Sequence, residues 1–235
     1  VSTGVAVVVL DIEGTTSPLT AVHDRLFPYA RAHLPAWLRE NWDTPPGQEV
    51  VEGVREALGN PDADPGEVEA TLLSWIDQDV KASPLKTAQG HIWRAGYAEG
   101  TLRGEVYPDV PKALESWRAA GIPVHIYSSG SVRAQRDWFA HTDHGDLSSH
   151  LAGHWDLTTA GPKREPASYH RIAEALGVPA GQVLFLSDVA AELDAARAAG
   201  WQVVGVHRPG EAGPGDGGAG HRWVAEFGEL ELAGG

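Results

Sequence analysis

Val5-Ala6-Val7-Val8-Val9-Leu10-Asp11-Ile12-Glu13-Gly14-Thr15-Thr16 is the stretch on which the fold turns. Its first six residues are apolar without alternation, the pattern of a strand buried on both faces. Two carboxylates, a glycine and two hydroxyls follow at once, where the chain must leave the sheet. In an open α/β sheet ligands sit beyond the carboxyl ends of the strands, so polar residues in that place are candidates for a site. The apolar run is too short to span a bilayer and has no basic leader, so it reads as a strand and not as a signal peptide.

Moving outward, similar runs recur at residues 122–127, 183–186 and 201–206, interleaved with helical patterns at 111–120, 169–176 and 190–199. Gly121, Gly177 and Gly200 stand where those helices must stop. Strands without alternation, separated by helices, predict an α/β fold built on a doubly wound, Rossmann-like parallel sheet. Residues 21–105 break this rhythm with helical spacing alone, as in Val22, Leu26, Phe27, Ala30, Leu34, Trp37 and Leu38. The predicted organisation is therefore a core of residues 1–20 and 106–235 with a helical insertion at 21–105. Pro45-Pro46-Gly47 and Asn60-Pro61-Asp62 read as turns between its helices. The glycine-rich segment 210–220 matches G-x-G-x-x-G at Gly213, Gly215 and Gly218, but no helix pattern opens on it and no lysine follows, so it reads as a flexible surface loop.

A chain of 235 residues can bury a full core and carry such an insertion, and a monomer is the expectation. The formal charge of −14 argues against a nucleic-acid partner, and the absence of a long apolar run argues against a membrane-spanning one. With no cysteine, disulfides and thiolate metal sites are excluded, which fits a reducing compartment and a cytoplasmic protein. His141, His144, His150 and His154 have no common zinc spacing and lie among Thr, Asp, Gly and Ser, so they read as a polar loop. Most of the nine tryptophans read as packing, and Trp93 alone has a setting that suggests a cleft.

Four polar sets carry candidate chemistry. Asp11 and Glu13 share a side of an extended backbone, so one carboxylate can act as nucleophile and the other as acid or base. An acidic turn is the plain alternative. Ser128, Ser129, Gly130 and Ser131 follow the second strand, where hydroxyls and N–H groups suit phosphate oxygens or simply cap a helix. Lys163, before a helix, could balance phosphate and carboxylate charge or be solvated surface. Asp188 ends a buried strand, where a hard cation would offset the cost of its charge.

In this order the four sets resemble the signature motifs of the haloacid dehalogenase superfamily. Glu13 stands where most members have a second Asp. Asp-x-Glu-Gly-Thr-Thr, Leu26-Phe27-Pro28-Tyr29-Ala30, Gln89-Gly90-His91-Ile92-Trp93, Gly104-Glu105-Val106-Tyr107-Pro108-Asp109 and Lys163-Arg164-Glu165 with Ser168-Tyr169 are similar to the enolase-phosphatase (acireductone synthase) family of methionine salvage. The likeness runs from about residue 7 to about 207 and is silent at 43–66 and in the glycine-rich tail. It implies that Asp11 attacks phosphorus and becomes an aspartyl phosphate, and that the Asp11 and Asp188 carboxylates with the Glu13 carbonyl hold Mg2+. Glu13 is then a candidate acid/base, Ser128 and Ser129 hold phosphate oxygens, Lys163 neutralises charge, and Glu192 supports the metal through water. The insertion is implied to be a cap that excludes solvent. The implied substrate is a small phosphorylated diketone, 2,3-diketo-5-methylthiopentyl 1-phosphate, enolised and then dephosphorylated to the acireductone. A plain phosphatase of the same superfamily, without enolisation, is the rival.

Overall fold

The computed structural model describes residues 4–213, 218 and 220–232. Along the chain, β1 (Val7–Leu10) is followed by α1 (Leu19–Ala21), a π-helical turn at Val22–Leu26, and α2 (Phe27–Asn41), α3 (Pro45–Leu58), α4 (Pro65–Asp77) and α5 (Ser83–Ala98). Then come α6 (Val110–Ala119), β2 (Val124–Tyr127), α7 (Val132–Ala140), β3 (Leu151–Trp155), α8 (Pro166–Leu176), β4 (Val183–Ser187), α9 (Ala190–Ala198), β5 (Gln202–Val206) and β6 (Trp223–Val224). These elements form two compact units, Val1–Leu19 with Arg103–Gly235 and Thr20–Leu102.

In the first unit the strands are all parallel, in the order β3-β2-β1-β4-β5-β6. The chain winds outward through β2 and β3, then returns to place β4 beside β1. That reversal is the topological switch point at which ligands of such sheets bind. Every residue of β1 and β4 is buried, as their unbroken apolar runs require. Tyr169 and Ile172 of α8 and Leu193 and Ala196 of α9 pack with Val7, Val9 and Phe185. Gly121, Gly177 and Gly200 end their helices with φ of 73°, 68° and 86°, the left-handed conformation expected of them.

The second unit has its own core, in which Ala30, Leu34 and Leu38 of α2 meet Val50, Val51 and Val54 of α3, Leu72 of α4 and Leu85 and Ile92 of α5. Trp93 stacks on Phe27 and donates its indole N–H to the Leu26 carbonyl at 2.8 Å. No described helix is long and apolar enough to cross a membrane.

Three expectations need correction. Pro45-Pro46-Gly47 is the first turn of α3, not a linker; Thr44 caps it by accepting the Gly47 N–H. Proline suits a first helical turn, where its missing N–H would have no partner anyway. The histidine-rich segment is not simply a loop, because His154 lies on β3, an edge strand whose Leu151-Ala152-Gly153-His154-Trp155 is only partly buried. β6, two residues long, was also not expected. The reading of 210–220 as a flexible loop rests largely on residues 214–217 and 219, including Gly215, which lie outside the described residues.

Candidate active site

Asp11 leaves β1 with its N–H bonded to the Leu186 carbonyl of β4 at 3.0 Å, which levels it with the end of that strand. The backbone then turns sharply. The Ile12 carbonyl accepts the N–H groups of Thr15, Thr16 and Ser17 at 3.1, 2.9 and 2.9 Å. Side-chain alternation therefore ends at Ile12 and does not by itself set the side on which half-buried Glu13 lies. Gly14 takes φ +72°, and a Cβ there would meet Asp188 Oδ2 at 2.3 Å, so only glycine admits the Asp188 carboxylate. The Asp188 N–H donates to Thr15 Oγ1 at 3.0 Å, joining the loop after β1 to the end of β4.

Lys163 reaches this point from the turn before α8. Its ammonium lies 2.6 Å from Asp11 Oδ1 and 2.6 Å from Glu192 Oε2. Ser187 Oγ donates to the same Glu192 oxygen at 3.0 Å. All three charged side chains are buried. Burial alone would lower the Lys163 ammonium, but the Asp11 and Glu192 carboxylates outweigh it and hold it above the ordinary lysine range. Asp188 is pushed up to about 8 by burial and then by the negative charges of Asp11 and Glu192. Glu192 is also raised, chiefly by burial, against the pull of Lys163.

Three carboxylates thus share one cation. Asp188 Oδ1 is buried with no hydrogen-bond partner among the described residues. Such an oxygen beside excess negative charge fits a hard divalent cation. Among the described residues no three His, Cys, Asp or Glu side chains are grouped to hold a metal alone. Magnesium does not require that, since it takes one or two carboxylates and fills its shell with water, carbonyl and substrate oxygens.

Ser128 follows β2 and is buried, its Oγ accepting the Gly130 N–H at 3.3 Å, while Ser129 is exposed. The helix-capping reading of this turn also holds, because Ser131 Oγ accepts the Ala134 N–H at 3.2 Å at the start of α7. Asp11, Lys163 and Asp188 converge, and Glu192, whose implied role is to support the metal through water, also pairs directly with Lys163. Arg208 was not foreseen. Fully buried, it donates Nε to the Thr15 carbonyl at 2.8 Å and Nη1 to both Asp109 oxygens at 2.9 Å. Its position just past β5 is the only sequence signal that could have marked it.

The model of the haloacid dehalogenase-like hydrolases matches residues 5–200. Enolase-phosphatase E1 of Nocardia farcinica is 58% identical over 96% of this chain and 96% of its own length. The chain belongs to the enolase-phosphatase E1 family. Another member, from Streptomyces avermitilis, is 51% identical over 96% of this chain and 95% of its own. The crystal structure of the UTR4 protein of Saccharomyces cerevisiae superimposes with a TM-score of 0.82 at 32% identity, covering 97% of this chain and all (100%) of that one. The hydrolase match spans β1 to the end of α9 of this chain, and so includes Asp11, Lys163, Asp188 and Glu192.

Proposed function

We propose that the chain converts 2,3-diketo-5-methylthiopentyl 1-phosphate to the acireductone 1,2-dihydroxy-3-keto-5-methylthiopentene and phosphate, a step of methionine salvage in the cytoplasm. The observation that carries this reading is the buried Asp11–Lys163–Glu192 cluster, with its unpartnered Asp188 oxygen, at the β1/β4 switch point. Its specific reaction comes from relatives named Enolase-phosphatase E1 that match it nearly end to end.

Asp11 is the nucleophile. Its carboxylate oxygen forms a bond to phosphorus as the bond from phosphorus to the substrate oxygen breaks, giving an aspartyl phosphate that water then hydrolyses. Before this, a proton leaves carbon, so the group departing from phosphorus is an enolate, a better leaving group than an alkoxide. Lys163 holds its proton throughout and offsets negative charge as the enolate and the transferring phosphoryl group develop it. Ser128 and Ser129 orient phosphate oxygens. Glu13 is the candidate for moving a proton between its carboxylate and the substrate. Asp11, Asp188 and the Glu13 carbonyl would hold magnesium, which supplies Lewis-acid stabilisation of oxygen charge when bound. The helical unit Thr20–Leu102 is assigned as the cap that excludes water. The protein acts as a monomer on this small molecule, without nucleic acid or membrane.

The test is a two-channel assay of the diketo phosphate with magnesium, following enol and acireductone by ultraviolet absorbance and phosphate by colorimetry. Enol formation followed by phosphate release, the second abolished by Asp11→Asn, is the expected result. Phosphate release from unrelated esters with no enol signal would leave a plain phosphatase and remove the salvage reaction.

A further inference from the structure

The turn that presents Lys163 has no strand ladder or helix to hold it. Three successive carbonyls in it are nonetheless satisfied, each by a different side-chain hydroxyl. Tyr127 Oη donates to the Gly161 carbonyl at 2.7 Å, Ser168 Oγ to the Pro162 carbonyl at 2.8 Å, and Tyr169 Oη to the Lys163 carbonyl at 2.6 Å. Arg171 extends the set by donating to the Ala160 carbonyl. We propose that Tyr127, Ser168 and Tyr169 are positioning residues that set the reach of Lys163 into the Asp11–Glu192 cluster by fixing its turn from β2 and α8 together.

Several independent features bear on this. Both tyrosines are fully buried (0% exposed), and their rings meet edge to face with centroids 5.6 Å apart, so neither ring can carry its hydroxyl oxygen off the turn without repacking the core. Burial holds both phenols above their ordinary range, so each is a permanent donor wherever the enzyme works. Gly161 adopts φ +104°, and a Cβ there would lie 2.7 Å from Ser168 Oγ, so the turn is shaped to bring these hydroxyls in. Tyr127 touches both the turn and the tip of the lysine, because its hydroxyl bonds the Gly161 carbonyl and its ring centroid lies 5.7 Å from the Lys163 ammonium. It directly precedes Ser128, so one residue links the phosphate-side turn to the lysine turn. A buried carbonyl that loses its donor pulls the backbone toward another, and a misplacement of about 1 Å at a reacting group can cost about 100-fold in rate.

The inference rests on the proposed role of Lys163, and the experiment separates the two. Tyr127→Phe, Ser168→Ala, Tyr169→Phe and the double tyrosine variant are assayed for phosphate release at saturating magnesium, with inhibition by orthovanadate, a mimic of five-coordinate phosphorus. Ile172→Val, a buried truncation on α8 that removes no hydrogen bond to the turn, serves as the control for lost stability. Tyr169→Phe is expected to lower kcat about 10-fold and the double variant about 100-fold, with KM within about 2-fold and vanadate affinity falling in step with kcat. Ile172→Val should keep wild-type kcat. If one tyrosine variant does not fold, Ser168→Ala and the other tyrosine carry the same expectation. Wild-type kcat in the double variant while Lys163→Met abolishes turnover would overturn the positioning role alone. So would an equal loss in Ile172→Val. Full turnover in Lys163→Met would overturn the role given to Lys163, and the positioning role with it.

Discussion

Among its described residues the sheet unit buries two cations, Lys163 and Arg208, near the carboxyl ends of its strands, and their surroundings differ in charge. Arg208 faces one carboxylate, Asp109, whose Oδ2 also accepts the Phe227 N–H at 2.7 Å. The rings of Tyr107 and Phe227 cover the guanidinium with centroids 4.4 and 4.6 Å away. Lys163 faces Asp11 and Glu192 at contact distance, with Asp188 adding a third carboxylate to the cluster. The first group balances and is closed by carbonyl and aromatic contacts, although Arg208 Nη2 has no partner among the described residues. The second carries more negative charge than it can neutralise. A fold has little reason to assemble such a cluster unless a ligand completes it. Burial alone does not mark a functional ion pair; imbalance does.

The largest effect that can break this comparison is on Arg208. Removing one partner of a closed buried pair strands the other, so Arg208→Met should cost about 3–5 kcal/mol in urea unfolding. Converting Asp109 to asparagine as well should restore part of that, since no unpaired buried charge is then left and the amide oxygen can still accept the Phe227 N–H. If Arg208→Met alone leaves stability unchanged, the pair is not the closed structural unit its geometry suggests.

At the Lys163 cluster the sign should reverse. Asp188, pushed up to about 8 first by burial and then by its neighbours' charge, favours its neutral form in the folded chain. An acid raised on folding contributes full stability below its unfolded value and loses it as pH rises through the folded value. At pH 7 part of that loss has accrued, so Asp188→Asn should stabilise the metal-free chain by about 1–3 kcal/mol. The same substitution should abolish the rise in Tm that magnesium gives the wild type, measured by calorimetry with and without chelator. A metal-free variant less stable than wild type would mean that Asp188 is compensated by contacts other than a cation.

The two cations also differ in how far the sequence disclosed them. Lys163 could be assigned because its neighbours, Arg164-Glu165 and Ser168-Tyr169, fall in a family pattern; its chemistry alone was that of any surface lysine. Arg208 had no such setting, and its partner lies 99 residues away, a pairing that only the fold creates. The central strands were legible because burial on both faces demands unbroken Val, Ile and Leu. The edge was not. β3 is half-exposed, so its composition was free to be mixed, and its one histidine, His154, read as loop. The Asp11–Glu13 alternation assumes an extended chain, and the turn at the Ile12 carbonyl ends that extension, so alternation alone does not decide the side on which Glu13 lies.

β3 supplies the smallest test, at a polar site that folding keeps uncharged. Gln135 donates its amide to the Gly130 and Trp155 carbonyls, both at 2.8 Å, which leaves its oxygen facing His154 Nδ1 at 3.2 Å and assigns the ring proton to that nitrogen. Burial, then the charges of Arg136 and His125, bring His154 down to about 4. A base lowered on folding contributes stability that is complete above its unfolded value near 6.5 and is lost as pH falls through that value toward the folded one. The ring is partly solvated, so the loss between pH 6.5 and 4 should be on the order of 1 kcal/mol and absent in His154→Gln. Parallel unfolding curves for the two proteins across that window would show that protonation of His154 costs the fold nothing. The turn after β2 would then be held by the Gln135 amide and by Asp156, which accepts the Val132 N–H at 2.9 Å, whatever the charge on His154.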